Sequence, residues 1–212
     1  MNEDDLVARK DALLESVLPN VTFDGWSLTA MRAGAKALKL DETESFQLFP
    51  GGAGEAALWL DDWADRRMLD ALESRDLAAM KVRERVGAAV MARLAVLAPY
   101  REAVRRAIAL KLSPFGAARA AQIVYRTVDA IWYAAGDQAT DFNFYTKRSL
   151  LAAVYAPTML YWLNDGSEGA TETEAFLQRR LAQVMKLPGL TGKLRKTAER
   201  VAAPFAFLRP RA

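Results

Sequence analysis

From Ser149 to Leu163 the chain carries no charged residue. A helix over this stretch is apolar nearly all round, so it belongs in a protein core or a membrane. The run falls short of the roughly 20 apolar residues a spanning helix needs. Lys147, Arg148 and Asp165 bracket it closely. The stretch therefore reads as the central helix of a packed α-helical core. A polar loop, Gly136 to Ala139, precedes it, and either Thr140 or Asp141 can cap its first turn. Asn164-Asp165-Gly166 stops it, with Gly166 suited to a left-handed cap. Pro157 inside the helix removes one backbone hydrogen bond and predicts a kink.

The rest of the chain is built on the same period. Leu6, Leu13, Leu14, Val17 and Leu18 predict a first amphipathic helix, Glu3 to Leu18, ended by Pro19-Asn20. Phe23 and Trp26 read as aromatic staples in the following turn. Ser27 caps a helix to about Leu38 whose small face (Ala30, Ala33, Gly34, Ala37) allows close packing, and a short helix follows from Glu42 to Phe49. These three helices read as a helix-turn-helix unit. Further helices are expected over Gly52–Arg75, Met80–Leu97, Pro99–Leu112, Ala117–Ala135 and Thr171–Leu187, the last opened by a Thr171/Glu174 capping box. No window alternates with period two, so no sheet is expected. The count is nine helices and a tenth at the end.

Composition removes most chemistry. The 212 residues contain no Cys and no His. Thiolate chemistry, the commonest general base and the commonest metal ligand are absent together. Glu-x-x-His di-iron motifs are impossible, and Gly51-Gly52-x-Gly54 lacks the Lys and strand of a phosphate loop. Asp129 is the one carboxylate inside an apolar helix. It reads as a partner of Arg126 or another cation, or else as a buried acid with a raised pKa. The expectation is a non-enzyme with no catalytic residue, no metal site and no cofactor.

Net charge is +3, but from Leu190 on six cations (Lys193, Arg195, Lys196, Arg200, Arg209, Arg211) face Glu199 alone. That tail nets +5 and leaves −2 for the rest. Leu190, Leu194, Val201, Phe205 and Leu208 fall within an arc of under about 100°, with Lys193, Lys196 and Arg200 on another face. A basic amphipathic helix of this kind reads as a membrane-surface contact, although docking on the body or on a second subunit fits the same pattern. The acidic N-terminus is neither a secretory signal nor a transit peptide, so a bacterial cytosolic protein or a mature form is expected.

Several ordered motifs carry a family resemblance. They are Gly136-Asp137-x-x-Thr140-Asp141-Phe142-Asn143-Phe144-Tyr145-Thr146-Lys147-Arg148, then Leu151-Ala152-x-Val154-Tyr155. To these add Phe23-Asp24-Gly25-Trp26, Leu48-Phe49-Pro50-Gly51-Gly52, Trp63-Ala64-Asp65-Arg66-Arg67-Met68 and Tyr125-Arg126-Thr127-Val128-Asp129-Ala130-Ile131-Trp132. Together they resemble the coenzyme Q (ubiquinone) biosynthesis accessory lipid-binding protein family. One position departs: many members have Trp where this chain has Phe144, which removes an indole donor.

The resemblance implies an all-α, TetR-like bundle of about ten helices. Residues 1–50 would form the helix-turn-helix-like unit, 51–189 a lipid-binding and dimerisation domain, and 190–212 the membrane helix. It implies an apolar cavity for an isoprenoid quinone or phospholipid, with Ile123, Val124, Ile131, Leu151, Val154, Met159 and Trp162 as candidate walls. Asp141, Phe144, Tyr145 and Arg148 would dock on the di-iron demethoxyubiquinone hydroxylase. The protein would be a homodimer, peripheral on the bacterial inner membrane, or on the matrix side as a mature mitochondrial form. By residues alone, an ordinary filled core fits the same apolar positions, which leaves a ligand-free scaffold as a further reading. A TetR-type regulator with an apolar effector is the alternative. It conflicts with the third helix, where Asp41, Glu42 and Glu44 stand without a Lys or Arg before Pro50. Phosphate contacts need cations there, so no nucleic acid is expected as a partner.

Overall fold

The computed structural model describes residues 2–112, 117–137 and 142–185. Among these residues the fold is all-α, with no strand. The helices are α1 (Glu3–Asp24), α2 (Leu28–Ala37), α3 (Glu42–Leu48), α4 (Gly52–Glu73), α5 (Val82–Leu97), α6 (Arg101–Lys111), α7 (Ala117–Ala134), α8 (Phe142–Trp162) and α9 (Thr171–Met185). Single 3₁₀ turns lie at Leu77–Ala79, Ala98–Tyr100 and Glu168–Ala170. The expected break at Ser113–Gly116, the cap at Thr140 or Asp141 and the tenth helix lie outside the described residues. No described helix is long and apolar enough to cross a membrane.

The chain divides into two compact units. The first holds residues up to Glu73 together with Ala92–Ile123; the second holds Ser74–Met91 and the described residues from Val124 on.

In the first unit α1 runs past the expected stop at Pro19 and ends at Gly25, whose φ is +68°. Proline deletes one backbone donor and crowds the preceding turn, a cost of about 3 kcal/mol or more in a helix interior. The extra turn buries Val21 and lets Asn20 donate to the Ser16 carbonyl (3.1 Å). The staple reading holds for Trp26 only. Its indole donates to the Ala103 carbonyl on α6 (3.0 Å), whereas Phe23 is 86% exposed.

Ser27 caps α2 by accepting the Ala30 N–H (3.2 Å). Gly34 meets α1 so closely that a Cβ there would lie 2.5 Å from Val17 Cγ2. Asp41 and Glu44 form a reciprocal capping box at α3 (2.8 and 3.0 Å). Two similar cassettes join α1 to α4. Asp11 accepts from Trp59 Nε1 (2.7 Å) and Arg66 (2.6 Å), and Glu15 accepts from Trp63 Nε1 (2.9 Å) and Arg67 (3.0 Å). Arg66 also makes an i,i+4 pair with Asp62 (2.9 Å). Buried Arg93 binds Asp65 (2.6 Å) and Asp61 (3.2 Å), and Lys111 also pairs with Asp61. The Trp63–Met68 motif is thus occupied with holding helices together.

In the second unit α8 continues through Pro157, and the Thr158 hydroxyl donates to the Val154 carbonyl (2.7 Å). The stop after α8 is made by Asp165, not by Gly166, which does not have the positive φ of a left-handed cap. Asp165 is buried and accepts from the N–H and hydroxyl of Ser167 (2.8 and 2.6 Å) and of Thr173 (2.8 and 2.6 Å). It therefore closes α8 and caps α9 together. Thr171 has helical φ/ψ and is the first residue of α9 rather than its cap.

Burial alone would push the Asp165 carboxyl up, but these hydrogen bonds outweigh it and hold it well below the usual carboxylate range. The folded pKa therefore lies under the unfolded value of about 3.9. Its stabilisation is complete above that value and is lost as pH falls below it. Asp165→Asn is expected to cost about 1–2 kcal/mol at pH 7, the cost of a lost helix cap. Urea melts should show the gap to wild type narrowing steadily below about pH 4. A gap that is independent of pH would refute the assignment.

Candidate functional site

The motif with the most chemistry-bearing side chains falls at the end of α7 and the start of α8, within the second unit. α7 ends in a Schellman turn. Gly136, at φ +82°, donates to the Tyr133 carbonyl (2.9 Å), and the Asp137 N–H reaches the Trp132 carbonyl (3.0 Å). Arg85 from α5 donates to the Ala135 carbonyl (3.2 Å), where a cation meets the negative end of the helix. This turn places Asp137 against α8.

Asp137 then accepts from Lys147 Nζ (2.6 Å) and Arg148 Nη1 (3.3 Å). Arg148 donates Nε to Asp129 and Nη1 to the Phe144 carbonyl (3.2 Å), and its guanidinium lies 3.3 Å from the Phe144 ring centroid. The Trp132 indole donates to the Lys147 carbonyl (3.1 Å), with Lys147 Nζ 5.5 Å from the ring centre. Burial and the neighbouring Asp129 carboxylate push the Tyr125 phenol up, so it is neutral at pH 7.

One of the expected roles changes here. Arg148 is only 4% exposed and its donors are spent inside the molecule, so it is not part of an exposed docking patch. Its long polar fork is satisfied by Asp129, Asp137 and the Phe144 carbonyl. Asp129, in turn, is not a buried acid. Its side chain is 45% exposed and it pairs with Arg148, in keeping with the reading of a carboxylate held by Arg126 or another cation.

Phe144 and Tyr145 are half-buried and meet edge to face at 5.2 Å. Asp141 lies outside the described residues. Sequence reasoning missed Asp137 and Trp132 as members of this cluster, although both stand in motifs that carry the resemblance.

Of the candidate cavity walls, Ile123, Ile131, Leu151, Val154, Met159 and Trp162 are buried and Val124 is half-buried. Ile123 falls in the first unit, the other six in the second. Leu160, an apolar neighbour on the same helix, is 52% exposed. The membrane candidates Leu190, Lys193, Leu194, Lys196, Arg200, Val201, Phe205 and Leu208 lie outside the described residues. A cavity of about 310 Å³ is present elsewhere, between α2 and α3 in the first unit. Among the described residues no group of Asp and Glu is placed to hold a metal ion.

Residues 117–188, which contain this cluster, match the COQ9 family model. The chain as a whole is similar to curated COQ9 proteins. It is 29% identical over 194 residues to "Ubiquinone biosynthesis protein COQ9, mitochondrial" of Homo sapiens, covering 88% of this chain and 61% of that one. The corresponding protein of Xenopus tropicalis is 30% identical over 196 residues, 89% of this chain and 62% of the relative. The chain thus spans about three fifths of the length of these curated relatives. Its fold is similar to that of a TetR transcriptional regulator from Nitrosomonas europaea, with a TM-score of 0.70 and 27% identity, covering 85% of this chain and 99% of the other.

Proposed function

We propose that this protein is a non-enzymatic accessory protein of ubiquinone biosynthesis. It binds isoprenoid quinone intermediates, or phospholipid, at a membrane surface and presents them to a di-iron demethoxyubiquinone hydroxylase. The observation that carries this reading is the family match over 117–188, which contains α7, α8 and the ion-paired turn between them. The apolar side chains Val124, Ile131, Leu151, Val154, Met159 and Trp162 supply a lining for an isoprenoid chain. Met159 adapts to an irregular guest. Phe144 and Tyr145, fixed by Arg148, offer the hydroxylase an aromatic contact of the kind enriched at interfaces. Leu190, Leu194, Val201, Phe205 and Leu208, with Lys193, Lys196 and Arg200, provide the membrane contact. The protein works as a homodimer, peripheral on the bacterial inner membrane or its mitochondrial counterpart.

Solvent extraction of freshly purified protein followed by mass spectrometry tests the lipid role. An isoprenoid quinone or phospholipid at near one equivalent per chain is expected, and an extract without apolar molecules would overturn it. Flotation with anionic liposomes tests the tail. Phe205→Glu with Leu208→Glu is expected to abolish flotation with the thermal midpoint unchanged; flotation that persists excludes the tail as the membrane contact.

The likeness to a TetR regulator supports a second reading, a transcriptional regulator with an apolar effector. It requires α3 to meet DNA phosphates. Yet α3 carries Glu42 and Glu44 and no cation, behind the Asp41 cap. Gel shifts with genomic fragments at moderate salt separate the two, since tight sequence-dependent retention would favour the regulator.

A further inference from the structure

The cavity between α2 and α3 shares no residue with the α7–α8 cluster or its apolar lining. Its volume, about 310 Å³, is that of a small-ligand pocket. Buried Met31 and Phe49 line it, as do Leu28 and Phe46, both large apolar side chains left partly in solvent.

Its polar lining is not electrically balanced. Asp41 is engaged in the α3 capping box and keeps its charge, and Glu42 pairs with Arg32 (2.8 Å), so the three cations and two carboxylates of the lining net +1. Lys36 and Lys39 also line the cavity, and neither has a partner among the described residues. Two exposed ammonium groups, neither in an ion pair among those residues, thus stand beside an apolar pocket of net positive lining.

The backbone points to the same place. Lys39 has φ +58°, the left-handed conformation that favours glycine. It closes α2 in a Schellman turn, with Leu40 N–H on the Ala35 carbonyl (2.9 Å) and Lys39 N–H on the Lys36 carbonyl (3.1 Å). A turn that glycine would make at lower cost instead carries a cation, and that cation sits at the cavity. Backbone outliers of this kind cluster at ligand sites.

We propose that this cavity binds a single-chain amphiphile with an anionic head, its alkyl chain among Leu28, Met31, Phe46 and Phe49 and its head between Lys36 and Lys39. A hydrocarbon tail fits the apolar wall, and an anion is the complement of the two free ammonium groups. The site does not depend on the quinone role of α7 and α8.

Titration calorimetry of the full-length chain tests it, with dodecanoate as probe below its micellar concentration. Saturable binding at one per chain is expected. Dodecanol, which lacks the charge, and inorganic phosphate, which lacks the chain, should each bind at least about tenfold more weakly, because each forfeits one half of the recognition. The double variant Lys36→Gln/Lys39→Gly should lose dodecanoate affinity by about tenfold or more. Glycine suits the φ of residue 39, so the variant should melt no lower than wild type, and lost binding will not reflect unfolding. Its content of co-purified quinone should be unchanged, which separates this site from the α7–α8 reading. Absence of saturable binding, equal affinity for dodecanol, or undiminished binding by the double variant would each overturn the proposal.

Discussion

Gly34→Ala is expected to destabilise the first unit by about 3 kcal/mol, at the upper end for overpacking a core. The added Cβ would lie 2.5 Å from Val17 Cγ2, 2.9 Å from the Val17 nitrogen and 3.0 Å from its Cα. A side-chain methyl can rotate away, but backbone atoms on α1 cannot. The helices would have to separate at their crossing, where Ser16 Oγ also donates to the Gly34 carbonyl (2.9 Å). Alanine improves helix propensity by about 1 kcal/mol over glycine, so a substitution governed by propensity alone would stabilise. The two effects have opposite signs, and urea denaturation decides between them. Adding Val17→Ala should restore only part of the loss, since it removes the Cγ2 clash and leaves the two backbone ones. Full rescue, or a loss under about 1 kcal/mol, would show that the crossing is looser than the geometry indicates.

The close crossing was legible in the sequence because it follows from local spacing: Ala30, Ala33, Gly34 and Ala37 fall on one helical face. So were the Ser27 cap, the Asp62–Arg66 pair and the Val86, Val90, Leu94, Leu97 stripe, all of them buried in that last case. Interactions set by tertiary neighbours were harder to read. Pro19 is a helix stop by local rule, but burial of Val21 carries α1 onward. Asp165 caps through Thr173, eight residues away, where sequence offered the nearer glycine. Lys147-Arg148 at a helix start looks like a solvated charge pair. Only the fold brings Asp129 and Asp137 to Arg148, from 19 and 11 residues back. The candidate lipid walls stand on a different footing. Their burial was predictable from hydropathy, yet a filled core and a cavity wall draw on the same residue types, so pattern alone does not separate them.

Arg148→Met should be the most damaging single change in the second unit, at about 3 kcal/mol or more in chemical denaturation at pH 7. A well-packed apolar replacement of a whole buried ion pair can be neutral, but removal of one partner leaves the other charge buried without compensation. The two carboxylates that Arg148 serves differ in this respect. The Asp129 side chain is 45% exposed and can return to water. Asp137 is 6% exposed, beside Lys147, and has no such route back to water. Asp137→Asn is therefore expected to cost more than Asp129→Asn, which should lose under about 1 kcal/mol as a half-solvated pair does. Arg148→Lys should not rescue. One ammonium cannot reach Asp129, Asp137 and the Phe144 carbonyl as the planar fork of arginine does, nor stack on the Phe144 ring in the same way. If Asp129→Asn proved as costly as Arg148→Met, the anchor would be the exposed pair and not the buried one. The expected order instead makes Asp137 and Arg148 the residues that fix the first turns of α8. On that order, any partner that reads Phe144 and Tyr145 reads rings whose positions are set by a guanidinium it never touches.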